Sequence, residues 1–214
     1  MHDPVDRLIS IQKEIQTKNS LAEIIAVSKT FSMNRILPLI NHGHKHFGEN
    51  KVQEAVEKWT SIKNDFNDLK LHFVGKLQTN KVKFTLPLFD YIHSLDSRKL
   101  AEKIASEQIK KKFKPKIFIQ VNIGNETQKN GIESDKINEF YKICTNELNL
   151  NVIGLMCLPP NDQNSKKYFS KMLELVNTFE TKNLSMGMSG DYLEAIKFKS
   201  TFLRIGSKIF GSRT

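Results

Sequence analysis

Lys29 directly follows a strongly apolar run near the start of the sequence. The run, from Ile24 to Ser28, has the length and composition of a strand buried on both faces. A lysine ammonium at the end of such a strand loses hydration, which favours the neutral, nucleophilic amine. Lys29 is therefore a candidate to form a Schiff base with a carbonyl compound. A strand-end lysine that simply reaches solvent fits this local pattern equally well.

Small and hydroxyl-bearing residues near the end of the sequence form a pattern that suits an anion. Gly187, Gly190 and Gly206 allow backbone N–H groups to approach a phosphate closely. Ser189 and Ser207 add hydroxyl donors in the same two segments. This pattern predicts a phosphate site built from two neighbouring loops.

The hydrophobic pattern predicts the elements that position these residues. Eight β-rich runs are separated by longer stretches with mostly helical periodicity, which indicates a parallel sheet. An additional helix, from Pro4 to about Asn19, precedes the first run. Ser32 can cap a helix that stops near Gly43, and further helices are predicted from about Asn50 to Trp59 and from about Ser134 to Leu148. The predicted strands are 24–28, 45–47, 71–74, 91–94, 116–122, 152–156, 184–186 and 202–205.

One closed barrel is the simplest arrangement of these elements. The chain shows no linker or composition shift, and its 214 residues suit a single barrel. We therefore predict an α/β fold, a (β/α)8 TIM-type barrel with an extra N-terminal helix, as one domain over residues 1–214. The alternative is an open, doubly wound sheet, which usually carries a glycine-rich fingerprint after its first strand. Neither GxGxxG nor GxxxxGKS/T occurs in the chain.

The predicted barrel brings the chemically interesting residues to one end. Active sites of such barrels lie at the carboxyl ends of the strands, and phosphate is commonly bound by the loops after strands seven and eight. A surface salt bridge at the barrel rim is the alternative explanation for Arg204. The rule selects a short list of strand-end residues for one site, namely Lys29, Asn50, Asn122, Ser189, Arg204, Gly206 and Ser207.

Six sequence blocks resemble the YggS/PROSC family of pyridoxal phosphate (PLP) homeostasis proteins. The blocks span nearly the whole chain in order, and their joint spacing is far more specific than any single block. They are AVSK at 26–29, FGEN at 47–50, HFVGKLQTNK at 72–81, GLM at 154–156, LSMGMS at 184–189 and RIGSKIFG at 204–211.

The resemblance implies an alanine-racemase-like barrel without the second, β-rich domain of true racemases. It implies PLP as the cofactor, held as a Schiff base on Lys29, with Asn50 close by and Arg204 facing the pyridine nitrogen. The phosphate positions of the family match Ser189, Gly206 and Ser207. The implied role is to carry, buffer or deliver PLP, with PLP-dependent apoenzymes as partners and without robust turnover. A minimal PLP-dependent amino-acid racemase is the alternative.

The chemistry of arginine supports the position implied for Arg204. A permanently charged guanidinium cannot accept a proton, and it disfavours protonation of a ring nitrogen beside it. An unprotonated ring is a weaker electron sink than one paired with a carboxylate. Such a pairing suits holding the cofactor better than broad carbanion chemistry.

The segment before strand eight departs from the family pattern. Family members often have Gly-Ser-Thr there, whereas this chain has Lys199-Ser200-Thr201. The resemblance then implies the loss of a backbone-only phosphate contact and the addition of a cationic one from Lys199.

The bulk composition limits the choice of partners. A formal charge of +10 suggests an anionic partner, but no recognised nucleic-acid motif accompanies it. We therefore predict no specific nucleic-acid binding. No apolar run approaches the roughly 20 residues of a membrane span, and the N-terminal residues lack signal-peptide features. We expect a cytoplasmic monomer that does not bind membranes.

Several histidines and cysteines invite functional interpretations that their context does not support. The alternating His42, His44 and His46 straddle a predicted helix end and a strand, with no further residue at ligand spacing, so we predict no metal site. His72 and His93 lie in predicted strands and are expected to be hydrogen-bonded interior residues rather than general bases. The two cysteines are expected to be reduced, partly buried thiols, and they are Cys144 and Cys157.

Overall fold

The computed structural model describes residues 3–126, 128, 130–162 and 164–211. Strands and helices alternate along these residues, after one helix that precedes the first strand. The strands are β1 (Glu23–Val27), β2 (His46–Glu49), β3 (Lys70–Phe73), β4 (Tyr91–Leu95), β5 (Lys116–Val121), β6 (Asn151–Cys157), β7 (Asn183–Met188) and β8 (Phe202–Ile205). The helices are α1 (Pro4–Gln16), α2 (Met33–Asn41), α3 (Val52–Asp65), α4 (Val82–Thr85), α5 (Arg98–Lys111), α6 (Ile137–Lys142), α7 (Ser165–Val176), α8 (Tyr192–Lys197) and α9 (Ser207–Phe210).

The eight strands close into a barrel in which every neighbour is parallel. Each strand pairs with the next in sequence, and β1 also pairs with β8, with Ile25 opposite Arg204. The predicted (β/α)8 barrel with an N-terminal helix is confirmed, and the open doubly wound alternative is wrong. Closure places the carboxyl ends of β1, β2, β7 and β8 side by side around one rim.

Several element boundaries differ from those predicted. β2 begins and ends later than the predicted run, because His46–Glu49 pair with Lys70–Phe73 of β3. The helix after it begins at Val52 and continues to Asp65, beyond the predicted end at Trp59. The predicted helix from Ser134 to Leu148 is α6 followed by a π-helical turn, Ile143–Glu147. These shifts leave the strand order unchanged.

Two separate apolar layers hold the barrel together. The larger layer lies between strands and helices, and it includes the fully buried Trp59 and Phe47. A smaller cluster consists of inward-facing strand residues. Its members are Ile25, Val27, Tyr91, Phe118, Met156 and Phe202.

Helix capping is uneven along the chain. The side chains of Asp3 and Ser97 accept hydrogen bonds from the first turns of α1 and α5. Ser32 is the N-cap of α2 as predicted, but its side chain makes no capping hydrogen bond. Among the described residues, no helix has both the length and the apolar character needed to cross a membrane.

Candidate functional site

The six residues predicted to hold the cofactor all line one cavity at the carboxyl ends of the strands, whereas Asn122, which the strand-end rule also selected, is not part of its wall. Its volume is about 440 Å³, within the range of small-molecule sites. The cavity wall also contains apolar side chains that the sequence reasoning did not select, from Val27, Phe31, Val74, Leu158 and Met188. The six are Lys29, Asn50, Ser189, Arg204, Gly206 and Ser207.

Lys29 is held at the end of β1 by a buried polar network. The backbone N–H of Ser28 donates to the carbonyl of Gly48 at 2.9 Å, and the Ser28 hydroxyl donates to Glu49 Oε1 at 2.7 Å. Lys58 Nζ donates to the Ser28 carbonyl at 3.1 Å and to Glu49 Oε1 at 3.0 Å. These hydrogen bonds therefore fix the ends of β1 and β2 next to Lys29.

The residue after Lys29 completes this anchoring. Thr30 has a φ of +67°, in the left-handed region that a β-branched residue rarely adopts. Its backbone N–H donates to Glu54 Oε1 at 2.6 Å, and this charge-assisted bond helps to hold the unusual conformation. The chain turns away from the barrel immediately after the lysine.

Asn50 presents an unsatisfied polar atom at the cavity. Its Oδ1 is buried and has no hydrogen-bond partner among the described residues. Gly75 approaches the Asn50 backbone so closely that a Cβ at Gly75 would lie 2.2 Å from the Asn50 carbonyl oxygen. A buried amide oxygen without a partner is costly, so Asn50 is ready to accept a hydrogen bond from a ligand.

The loops after β7 and β8 are joined to each other at the cavity. The Ser189 hydroxyl oxygen accepts a hydrogen bond from the Lys208 backbone N–H at 3.2 Å. Gly206 caps α9, and its carbonyl accepts from the N–H groups of Ile209 and Phe210, both at 2.9 Å. A Cβ at Gly190 would meet no atom within 4 Å, so this part of the wall leaves room for an incoming group.

Arg204 is a buried cation whose orientation is fixed from the sheet side. It is 5% exposed, and its Nη1 donates to the Ser185 carbonyl and to Ser185 Oγ, both at 2.6 Å. Its Nη2 donates to the Cys157 carbonyl at 2.7 Å. Burial lowers the pKa of the guanidinium, but arginine remains charged at neutral pH. No carboxylate forms an ion pair with Arg204 in the described part of the chain, so the surface salt-bridge alternative is wrong.

The expectation for Lys199 is wrong. Lys199 is exposed, lies before β8 and is absent from the cavity wall, whereas the site residues follow the strands. In a parallel barrel the residues before a strand and those after it lie at opposite ends. Lys199 has a φ of +59°, a left-handed conformation that glycine adopts without strain. This explains why glycine is typical of the family at this position.

Both cysteines and the histidines that the structure describes lie outside the cavity wall. His72 and His93 are fully buried and hydrogen-bonded, as predicted. The three alternating histidines are not a metal cluster in the described chain, where no group of three potential ligands is arranged to hold an ion. Cys144 and Cys157 are free and buried, and burial raises the pKa of each thiol to about 12.

Comparison with known proteins identifies the class to which this barrel belongs. The sequence model of the family "Alanine racemase, N-terminal domain" matches residues 7–214, so the chain belongs to that family. Within it, the chain belongs to the pyridoxal phosphate homeostasis proteins. The protein of that name from Aquifex aeolicus is 37% identical over 201 residues, which cover 90% of this chain and 87% of the relative.

Solved structures agree with this assignment. PipY from Synechococcus elongatus PCC7942, determined without PLP, is 30% identical, with a TM-score of 0.88. The match covers 98% of this chain and all of PipY. The structure of PipY with PLP bound is 29% identical and gives a TM-score of 0.86, over 97% of this chain and all of PipY.

Proposed function

We propose that this protein binds PLP in the cavity that Lys29 and Arg204 share, and that it carries, buffers or delivers the cofactor without robust turnover. The observation that carries the proposal is the joint placement of a lysine, a buried arginine and two serine hydroxyls around one cavity of about 440 Å³. The membership in the PLP homeostasis family supports it. PLP-dependent apoenzymes are the proposed recipients.

The residues of the cavity fit this cofactor chemically. Lys29 supplies an amine for the aldehyde, and Arg204 supplies a fixed cation for the pyridine nitrogen. Ser189, Ser207 and Gly206 lie where the last two strands end, the usual phosphate position of the fold. The unpartnered Oδ1 of Asn50 accepts a hydrogen bond from the cofactor, which removes the cost of its burial.

Bound in this cavity, PLP supplies an aldehyde and an electron-withdrawing ring. The Lys29 amine condenses with that aldehyde, forming a C=N bond and releasing one water, so the cofactor is held as a reversible Schiff base. Arg204 keeps the ring nitrogen unprotonated, because its guanidinium only donates. The same residues therefore retain the cofactor while limiting carbanion chemistry, which suits storage and release.

Borohydride reduction followed by peptide mass spectrometry tests the proposal. Reduction converts a Schiff base into a stable secondary amine, and we expect the pyridoxyl mass on Lys29. The Lys29→Ala protein should lose both the label and the yellow colour while it keeps its fold. Lys76→Ala is the matched control, because Lys76 is exposed and lies outside the cavity wall. A label on another lysine in the native protein would reject the assignment.

A further inference from the structure

A chain of three histidine rings runs through the barrel interior from its amino end to Arg204. His46 Nδ1 lies 2.9 Å from His72 Nε2, and His72 Nδ1 lies 2.9 Å from His93 Nε2. His93 Nδ1 lies 2.8 Å from Ser185 Oγ, the atom that accepts from Arg204 Nη1 at 2.6 Å. The chain therefore joins β2, β3, β4, β7 and β8 in one line of hydrogen bonds.

Arg204 sets the direction of every bond in this chain. A guanidinium only donates, so Ser185 Oγ accepts from Nη1 and its own hydrogen is directed to His93 Nδ1. A neutral His93 then carries its proton on Nε2 and donates to His72. The opposite direction would leave the Ser185 hydrogen without an acceptor among the described residues.

The same logic extends to the end of the chain. His72 accepts at Nδ1, so it carries its proton on Nε2 and donates to His46 Nδ1. His46 then carries its own proton on Nε2, which faces Glu23 Oε2 at 3.9 Å. All three rings are thus expected in the Nε2–H tautomer.

Burial and stacking keep the inner rings neutral and in place. His72, His93 and Ser185 are all 0% exposed. The His72 ring stacks on Tyr91 with centroids 4.1 Å apart, and the His93 ring stacks on Phe118 at 4.5 Å. Burial lowers the pKa of both histidines well below the usual value, and the charge of Arg204 lowers that of His93 further. Protonation of His93, which would place a second positive charge beside Arg204, is therefore strongly disfavoured.

The outer end of the chain lies among charges of both signs. Glu23 on β1 and Asp90 before β4 favour a protonated His46, whereas Lys70 on β3 and Lys116 on β5 disfavour it. Burial dominates these influences and lowers the pKa of His46. The neighbouring His44 donates from Nε2 to the His46 carbonyl at 2.9 Å and not to its ring. The chain is therefore neutral from end to end near neutral pH.

We propose that His46, His72, His93 and Ser185 are positioning residues, which form a one-directional hydrogen-bond chain that locks the orientation of the Arg204 guanidinium at the cavity. The role towards the cofactor rests on the proposed function, because it concerns the cation that faces the ring nitrogen. The chain itself is a property of the protein without cofactor. The two statements can therefore fail independently.

Long-range proton–nitrogen NMR spectra of the ¹⁵N-histidine-labelled apoprotein test the chain. In the native protein, His72 and His93 should show the neutral Nε2–H pattern from about pH 6 to about pH 9. Ser185→Ala should give His93 a mixture of tautomers, because Nδ1 loses its donor. Ser94→Ala is the matched control, since Ser94 is equally buried and its Oγ has no partner among the described residues. An Nδ1–H pattern for His93 in the native protein would overturn the proposal.

Visible absorbance of the PLP-loaded protein tests the consequence for the cavity. Ser185→Ala should shift the pH midpoint of the bound-cofactor spectrum by about one unit, because Arg204 loses one of its fixed acceptors. Ser185→Thr restores the hydroxyl and should restore the midpoint, and Ser94→Ala should leave it unchanged. An unshifted midpoint in Ser185→Ala would refute the role towards the cofactor.

A second variant keeps the test decisive if Ser185→Ala does not fold. His46→Leu removes the acceptor of His72 at the half-buried end of the chain, whereas His46→Gln keeps one. We expect a changed tautomer pattern for His72 only in the leucine variant, and identical patterns in both variants would contradict the chain. A native protein that shows the Nε2–H pattern but binds no PLP would refute the proposed function alone.

Discussion

The Ser28 hydroxyl donates a 2.7 Å hydrogen bond to Glu49 Oε1, and each of these residues immediately precedes a residue of the cavity wall. Ser28 precedes Lys29, and Glu49 precedes Asn50. Glu49 is fully buried and also accepts from Lys58 and from the indole N–H of Trp59. One buried carboxylate therefore connects the two strand ends that carry the amine and the amide of the site.

We expect Ser28→Ala to destabilise the protein and to weaken PLP retention. A hydrogen bond to a charged acceptor contributes about 2 kcal/mol, and its loss also loosens the backbone beneath Lys29. Urea unfolding should report the lower free energy of unfolding. The matched control is Ser94→Ala, which removes a buried hydroxyl without a partner in the described residues and should cost little. Equal destabilisation by both variants would contradict this role of Ser28.

The double variant Ser189→Ala with Ser207→Ala should weaken PLP retention more than pyridoxal retention. Both hydroxyls lie at the cavity wall, and their proposed partner is the phosphate, which pyridoxal lacks. Equilibrium dialysis with each ligand gives the two dissociation constants. The unmodified protein provides the reference ratio.

Equal weakening for the two ligands would reject the phosphate assignment. The Ser189 hydroxyl oxygen also accepts from the Lys208 N–H, so the unfolding free energy of the double variant must be measured alongside. A loss of stability alone would affect both ligands in the same proportion. The ratio of the two constants therefore isolates the contact with phosphate.

The strand order and the rim that carries the site could be predicted from periodicity, since each strand is a short apolar run and parallel neighbours require long connections. Lys29 and Arg204 followed from their positions at strand ends. Glu49 did not, because a glutamate in an FGEN block gives no local sign that it is buried. Its partners Ser28 and Trp59 meet it only when β1, β2 and α3 pack together.

The histidine chain could be predicted only in part. Strand positions indicated that His72 and His93 lie inside, but their connection to His46 and Ser185 requires barrel closure to bring distant strands together. The short α4 could not be predicted either, since a segment of four residues shows too little periodicity to indicate a helix. Comparison of sequences alone did not reveal that Lys199 lies before β8, at the end of the barrel opposite the cavity.

Lys199→Gly should stabilise the protein by about 1 kcal/mol, because glycine removes the strain of a left-handed backbone. Lys199 has a φ of +59° and is exposed, so few contacts are lost. Urea unfolding measures the gain. Lys199→Ala is the control, since alanine retains the strain and should give no comparable gain. A gain of the same size in both variants would point to the lysine side chain and not to the backbone.

Acid should destabilise the fold as the pH falls from about 7 to about 5, partly through His44. Burial lowers the pKa of His44 to about 4. The unfolded chain, with a pKa near 6.5, binds protons first as the pH falls, so stability is retained above that value and lost below it. His44 alone accounts for about 2 kcal/mol by pH 5.

Replacement of His44 tests this prediction directly. His44→Gln can still donate to the His46 carbonyl, and its unfolding free energy should fall by about 2 kcal/mol less between pH 7 and pH 5 than that of the native protein. His42→Gln is the matched control, because His42 is exposed on the same turn. If both variants keep the native pH dependence, the acid sensitivity does not come from His44.

The last prediction separates a cofactor-holding protein from a compact racemase. Racemisation needs proton transfer on both faces of the substrate, so a second base must reach the side opposite Lys29. Among the described side chains that line the cavity, only those of Lys29 and Arg204 are basic, and arginine is not a base at neutral pH. Tyr192 contacts Glu14 and Lys208 and is not part of the cavity wall.

We therefore expect only trace exchange of the α-proton when alanine or serine is incubated with the PLP-loaded protein in deuterated water. Proton NMR should show rates far below the roughly 1 to 1000 per second of dedicated enzymes. Arg204 also limits the delocalisation of a carbanion into the ring, so it too lowers the expected exchange rate. Sustained exchange in that range, abolished by Lys29→Ala, would show that a second base does reach the cavity and that the protein is a racemase.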